Sequence, residues 1–233
     1  MTCHGTSKYA AICTCQQTSC NGYIKRNMRF ILGTAVTRTL FSGLVRPHLG
    51  YATQIWAPQS IELTSKLERI QRRAARFILN LPYSSTISYN SCLQTLNQLP
   101  ICYWHELLDL VFFFKITHGL VNVDSSVLPD VRKYRRTRST TTNIKKYIPK
   151  KCKTTTYQKS FLVRACRIWN CLADELDYSL VTLTLFKSVL FNYYKTSLVT
   201  SFDCEDLRTF KTVCLKCNSV RPLSRPILCC NCS

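Results

Sequence analysis

Between Ile61 and Leu81 the apolar residues Leu63, Leu67, Ile70, Ala74, Phe77 and Leu81 recur at spacings of 4, 3, 4, 3 and 4. That period gathers all six on one side of an α-helix and scatters them over both faces of a strand, so the segment predicts a helix with a core-facing stripe. Ser60 is the expected N-cap and Pro82 the stop. Such a helix holds its structure mainly by packing, so the chain must supply apolar partners. Thr34 to Val45 (TAVTRTLFSGLV) reads as one. In the block LVRPHLGYATQIWAP, Pro47 suits the first turn of another, running on to Trp56 and stopping before Pro58. The proline then marks a kink or a restart between two packed helices. A short helix is expected over Ser88 to Leu96. Pro100 opens a longer one that ends at Gly119. Trp104, Leu107, Leu108, Val111, Phe112 and Ile116 nearly encircle it, which predicts a central, buried helix. Its His105, Glu106 and Asp109 share a polar side; a solvent-facing strip is expected there in preference to a metal or acid–base site. Tyr157 to Leu172 follows with Phe161, Ala165, Ile168 and Trp169 inward. Leu183 to Leu198 is a last amphipathic helix, packing through Phe186, Leu190 and Tyr193 or Tyr194. Tyr147-Ile148-Pro149 and Thr154 to Tyr157 are the candidate strands of a short β-hairpin. The expected class is mainly α.

Charge narrows the partner. The chain carries 32 Lys and Arg against 12 Asp and Glu, a net charge of +20, while 46% hydrophobic residues support a packed core. So large an excess points to a polyanion, nucleic acid first and an anionic membrane surface second. The longest apolar-rich stretch, Ile101 to Ile116, is broken by His105, Glu106, Asp109 and Lys115. It is too short and too charged to span a bilayer, and with nucleic acid favoured by charge and pattern no membrane partner is expected. Two basic regions stand out. Lys66, Arg69, Arg72, Arg73 and Arg76 fall on one flank of the 61–81 stripe, where Glu62 and Glu68 are the only acids; a solvated face is the alternative to phosphate contact. From Val131 to Ala173 there is no acid and there are thirteen cations. Among them Arg132, Lys133, Arg135, Arg136, Arg138, Lys145, Lys146, Lys150 and Lys151 are interleaved with Ser and Thr, the pattern of a flexible basic arm. Weakly selective binding of RNA or DNA is the expectation, with no small-molecule substrate. No acidic triad or nucleophile–base pair is visible, so an enzyme using Glu106 and Asp109 is the weakest reading.

The chain has 15 cysteines and no apolar signal core after Met1, which suggests reduced thiols in an intracellular protein of the nucleus or cytoplasm. Cys3, His4, Cys13, Cys15 and Cys20 follow no ligand spacing, and residues 1–20 read as a poorly ordered leader. The tail, CLKCNSVRPLSRPILCCNCS, holds two C-x-x-C pairs, Cys214 with Cys217 and Cys229 with Cys232, separated by eleven residues. Two such pairs can place four thiolates around a structural Zn²⁺. The gap is shorter than the usual ~15–20 residues, and a cysteine-rich terminus with reduced thiols is the alternative.

LVRPHLGYATQIWAP followed by LERIQRRAARFILNLP resembles the region just downstream of the polymerase palm in non-LTR (LINE-type) retrotransposon reverse transcriptases, jockey-like and CR-type elements in particular. LPICYWHELLDLVFFFKITHG, RTRST, TYQKSFLVRACRIWNCLADEL and LTLFK fit the same pattern in the same order. The resemblance runs from about Gly22 to the end. It implies thumb-like helices over 21–131, a basic Ser/Thr-rich arm over 132–156, a post-thumb helical pair over 157–203 and a Cys-rich tail over 204–233. In that family the block is preceded by a palm whose paired aspartates, in an aromatic-Ala-Asp-Asp sequence, bind two divalent metals. No such sequence occurs here. The acids of LADEL, Asp174 and Glu175, are not that motif, and no acid at all precedes Leu44. The resemblance therefore implies a nucleic-acid-binding C-terminal fragment of an RNA-directed DNA polymerase, truncated before the palm, inactive alone and without a catalytic metal. A stand-alone zinc-containing DNA- or RNA-binding protein is the alternative.

Overall fold

The computed structural model describes residues 33–58, 61–82, 84–124, 128–131, 147–148, 154, 157, 160–172 and 182–201, with 19, 22–23 and 26. Their architecture is mainly α with one two-stranded antiparallel sheet: α1 (Thr34–Leu40), a π-helical turn (Phe41–Val45), α2 (Arg46–Gly50), α3 (Thr53–Trp56), α4 (Ile61–Ile78), α5 (Tyr89–Leu96), α6 (Ile101–Thr117), β1 (Asp130–Val131), β2 (Tyr147–Ile148), α7 (Phe161–Leu172) and α8 (Leu183–Ser201). The chain divides into two compact units, and the division falls within α6, between His105 and Glu106. The leader over 1–20, Ser19 apart, Ser60, the arm cations from Arg132 to Lys151 and the tail over 204–233 lie outside the described residues.

In the unit formed by residues 33–105, the α1 backbone passes into the π-helical turn and then into α2, with Pro47 in its first turn. A proline has no amide hydrogen to give and crowds the carbonyl four residues back. The wider turn just before it lets the helix restart without a break. The expected run to Trp56 is interrupted instead: α2 ends at Gly50, and Ala52 takes a left-handed conformation (φ 52°, ψ 33°) before α3 begins. Leu49, Trp56, Leu67 and Ile101 form a core cluster, against which Ala52, Leu63 and Trp104 pack. The stripe on α4 accordingly turns inward, with Leu67, Ile70 and Ala74 buried.

The ends of α4, α5 and α6 share one closure. Asn80, Asn97 and Gly119 each stand just beyond a helix with positive φ. In each case the next residue's amide reaches back five positions: Leu81 to Arg76 at 2.9 Å, Gln98 to Leu93 at 2.9 Å, Leu120 to Lys115 at 2.8 Å. This is the Schellman closure, which satisfies a terminal carbonyl. Ser88 caps the start of α5 by accepting the Ser91 amide at 3.2 Å.

The unit formed by residues 106–201 is built around aromatic side chains. Trp169 of α7 has the rings of Phe113 at 5.4 Å, Phe114 at 6.4 Å, Tyr147 at 6.3 Å and Phe186 at 5.7 Å. Phe114 and Phe186 stack at 4.4 Å. Ala165, Ile168, Phe186, Leu190 and Tyr194 are buried, as their spacing indicates. The hairpin uses a different partner from the expected one: Tyr147 and Ile148 pair with Val131 and Asp130, not with Thr154 to Tyr157. Two residues make a short ladder, and the Asn170 carboxamide extends it. Its Oδ1 accepts the Tyr147 amide at 2.8 Å and its Nδ2 donates to the Tyr147 carbonyl at 2.7 Å, the pattern a third strand would offer.

The polar side of α6 departs from expectation. His105 and Asp109 are buried and Glu106 is half-buried, so they do not form a solvent-facing strip. Each answers a buried polar group. The Nε2 of His105 lies 2.8 Å from the Leu49 carbonyl, Glu106 accepts the Tyr194 hydroxyl at 3.2 Å, and Asp109 Oδ2 accepts Nε and Nη2 of Arg164 at 2.8 and 2.6 Å. A helix apolar on every side has no outward face for its polar residues, and each therefore needs a partner inside.

Candidate nucleic-acid interface

The cations of α4 separate into two groups. Lys66, Arg69 and Arg73 are exposed. They repeat at spacings of 3 and 4, the period of the core stripe whose flank they occupy, and span about 10 Å of helix axis at 1.5 Å per residue. Glu62 is the one acid on that face. It accepts from Lys66 Nζ at 2.8 Å, in the favourable Glu-before-Lys order four residues apart. Lys66 and its hydrogen bond hold the Glu62 carboxyl below the ordinary value. Both side chains are more than half or half exposed, at 77% and 50%, so the pair is weak and an incoming phosphate can displace it.

Arg72 and Arg76 are half-buried and serve the protein's own packing. The guanidinium of Arg72 lies 5.2 Å from the centroid of the Tyr89 ring. Nη2 of Arg76 donates to the carbonyls of Pro82 and Ser85 at 2.9 and 3.1 Å and holds the turn after α4. The five cations of the sequence thus resolve into a row of three that faces water and two that brace the turn and α5.

Behind this face lies a buried carboxylate. Glu68, 4% exposed, accepts the Tyr89 hydroxyl at 3.0 Å and the Cys102 amide at 3.2 Å. It caps the start of α6 from a different helix, where the amides are unsatisfied and the helix dipole favours an anion. Burial pushes the carboxyl up, and the Cys102 amide and Tyr89 hydroxyl pull it back in part. Next to it Arg46 lies 4.6 Å over the Trp104 ring. Burial lowers its guanidinium to about 10, against the raising influence of Tyr89, and it remains cationic at neutral pH. Arg38 also depresses it and Glu68 supports it. Nothing in the sequence around Arg46 distinguished it from the surface cations.

Tyr51 was not singled out by sequence reasoning either, and it is the most exposed large apolar side chain described, at 79%. Its place in an apolar block argued for burial. It stands beside the left-handed turn at Ala52, and alanine gives no sequence signal for such a turn.

The remaining expected site residues, Arg132 to Lys151 and Cys214, Cys217, Cys229 and Cys232, lie outside the described residues. Among the described residues no three His, Cys, Asp or Glu side chains are grouped to hold a metal ion, and no helix is long and apolar enough to cross a membrane. The chain matches no family model, no curated protein and no solved structure.

Proposed function

We propose that the chain binds nucleic acid through the Lys66–Arg69–Arg73 row of α4 and the basic arm of 132–156, as the thumb and post-thumb region of a non-LTR retrotransposon reverse transcriptase. The observation that carries this reading is the row itself. Three cations occupy one exposed helical face, their only acidic neighbour is exposed and weakly paired, and the whole chain has a net charge of +20. Cations set side by side repel one another in water, and a line of phosphates removes that repulsion while releasing condensed counterions. The affinity is set by charge, so selectivity among sequences is weak and salt dependence is strong. The Cys214, Cys217, Cys229 and Cys232 thiolates supply a donor set suited to tetrahedral Zn²⁺, which would have a structural role in the tail.

The test is the salt dependence of binding to a labelled oligonucleotide. Replacing Lys66, Arg69 and Arg73 together by Ala should reduce the magnitude of the log–log salt slope by about 0.9 per lost contact on duplex DNA and about 0.7 on a single strand. These side chains are exposed, so the helical signal should not change. An unaltered slope would assign this face to solvent.

A further inference from the structure

The turn that carries Tyr51 is fixed on both sides while its ring stands in water. The Tyr51 amide donates to the Pro47 carbonyl at 2.9 Å, and its own carbonyl accepts the indole N–H of Trp56. Trp56 is 4% exposed and belongs to the core cluster, so the acceptor is anchored from inside. Ala52, the next residue, holds a left-handed conformation, which an L-residue with a Cβ adopts at a cost and keeps only when its surroundings over-determine it. The result is a ring 79% exposed on a backbone that cannot easily turn it inward, with Ile55, 69% exposed, in the short helix that follows.

Charge selects the occupant of this surface. Residues 33–105 contain seven Lys and Arg (Arg38, Arg46, Lys66, Arg69, Arg72, Arg73, Arg76) and two acids, Glu62 and Glu68, of which Glu68 is buried. A second copy of this chain, at +20, would meet the surface with like charge. The turn also packs, through Ala52, on the cluster that includes Leu67, the neighbour in sequence of Lys66. The exposed ring and the cationic row thus belong to the same unit. An aromatic platform combined with a cationic track is the composition that binds single-stranded nucleic acid, because every unpaired base offers a face for stacking. A duplex hides those faces within its own stack.

On the reading that the chain binds nucleic acid, we infer that Tyr51 is a stacking platform for an unpaired base, and that single-stranded RNA or DNA is the preferred ligand class. The full chain and its Tyr51→Ala, Tyr51→Phe and Tyr51→Trp variants should be titrated into single-stranded RNA, single-stranded DNA and a duplex of the same sequence. Tyr51→Ala should weaken single-strand binding by about tenfold, with the duplex affinity and the salt slope unchanged. Tyr51→Phe and Tyr51→Trp should retain the affinity, since both keep the π-face. The RNA and DNA arms identify which strand is the better ligand. The thermal midpoint of Tyr51→Ala should equal that of the parent, because the ring is exposed. Unchanged single-strand binding by Tyr51→Ala would overturn the inference and assign the ring to another occupant, such as a protein. An equal loss on the duplex would overturn it too, since stacking on an unpaired base could not be the cause. Failure of the parent to bind any of the three ligands would remove the broader reading and this one together, whereas a row-dependent salt slope without a Tyr51 effect would remove only this one.

Discussion

Glu68 shows how a single residue can be mistaken in a sequence and understood in a structure. On α4 it counts as one of two acids that offset five cations, yet it is buried and its charge is spent on the Tyr89 hydroxyl and the start of α6. Burial raises its pKa above 4.5, and burial likewise raises that of Asp109 against the Arg164 guanidinium. A carboxyl with a raised folded pKa holds its proton more tightly in the native state. Its contribution is therefore fully present below the unfolded value and is lost as pH rises through the folded one. Urea unfolding at a series of pH values should show stability falling from about pH 4.5 upward, and Glu68→Gln should flatten part of that fall while Asp109 maintains the rest. Glutamine can still accept the Cys102 amide and donate to the tyrosine oxygen, so its effect near neutral pH should be small. Glu68→Ala removes the acceptor of both groups and should cost on the order of 1–3 kcal/mol. An identical pH profile for parent and Glu68→Gln would show that the carboxyl titrates as it does in the unfolded chain.

At the scale of elements, helix position was legible wherever periodicity was strong. Leu67, Ile70 and Ala74 of the α4 stripe are buried and Leu63 and Phe77 half-buried; Leu107, Val111 and Ile116 of α6 are buried; and of the inward residues expected on α7, Ala165, Ile168 and Trp169 are buried and Phe161 is half-buried. What the sequence concealed were interactions between distant residues. The partner of Tyr147 lies sixteen positions upstream at Val131, and two-residue strands carry no alternation to reveal it. The polar residues of α6 looked outward because their partners, Leu49, Tyr194 and Arg164, are far along the chain. For the same reason, the division of the α4 cations into exposed and packed members depends on Tyr89 and the 82–85 turn. Two helix ends carry a sequence signal: asparagine is the non-glycine residue most at ease with positive φ, and Asn80 and Asn97 both close helices. The consequence can be measured. Asn97→Ala forces a Cβ-bearing residue without a local polar partner into the left-handed region and should cost about 1 kcal/mol. Asn97→Gly should be neutral or stabilising, because glycine takes that conformation freely. If both variants unfold at the same denaturant concentration, the left-handed closure is not what ends α5.

For the molecule as a whole, the distribution of apolar residues separates what can hold itself from what cannot. Residues 33–105 have the cluster of Leu49, Trp56, Leu67 and Ile101, and residues 106–201 have the aromatic group around Trp169, so each unit encloses apolar surface of its own. After Cys204 the sequence offers Leu207, Phe210, Val213, Leu215, Val220, Leu223, Ile227 and Leu228, spread over thirty positions. Ordering one residue costs roughly 1–2 kcal/mol in backbone entropy, and burying one aliphatic side chain returns a comparable ~1.5–3 kcal/mol. Eight such residues cannot balance thirty, so an ordered tail requires a cross-link. A Zn²⁺ ion held by Cys214, Cys217, Cys229 and Cys232 would provide one, because metal binding and folding are then the same event. We therefore predict stoichiometric zinc in the full chain purified under reducing conditions without chelator, and none in a chain ending at Asp203. Chelation should leave the far-UV helical signal of the full chain nearly intact, since neither core contains a ligand of that set. It should also make the tail sensitive to protease. Absence of zinc from the full chain would reject the site. Collapse of the helical signal on chelation would show instead that the metal supports the helical units themselves.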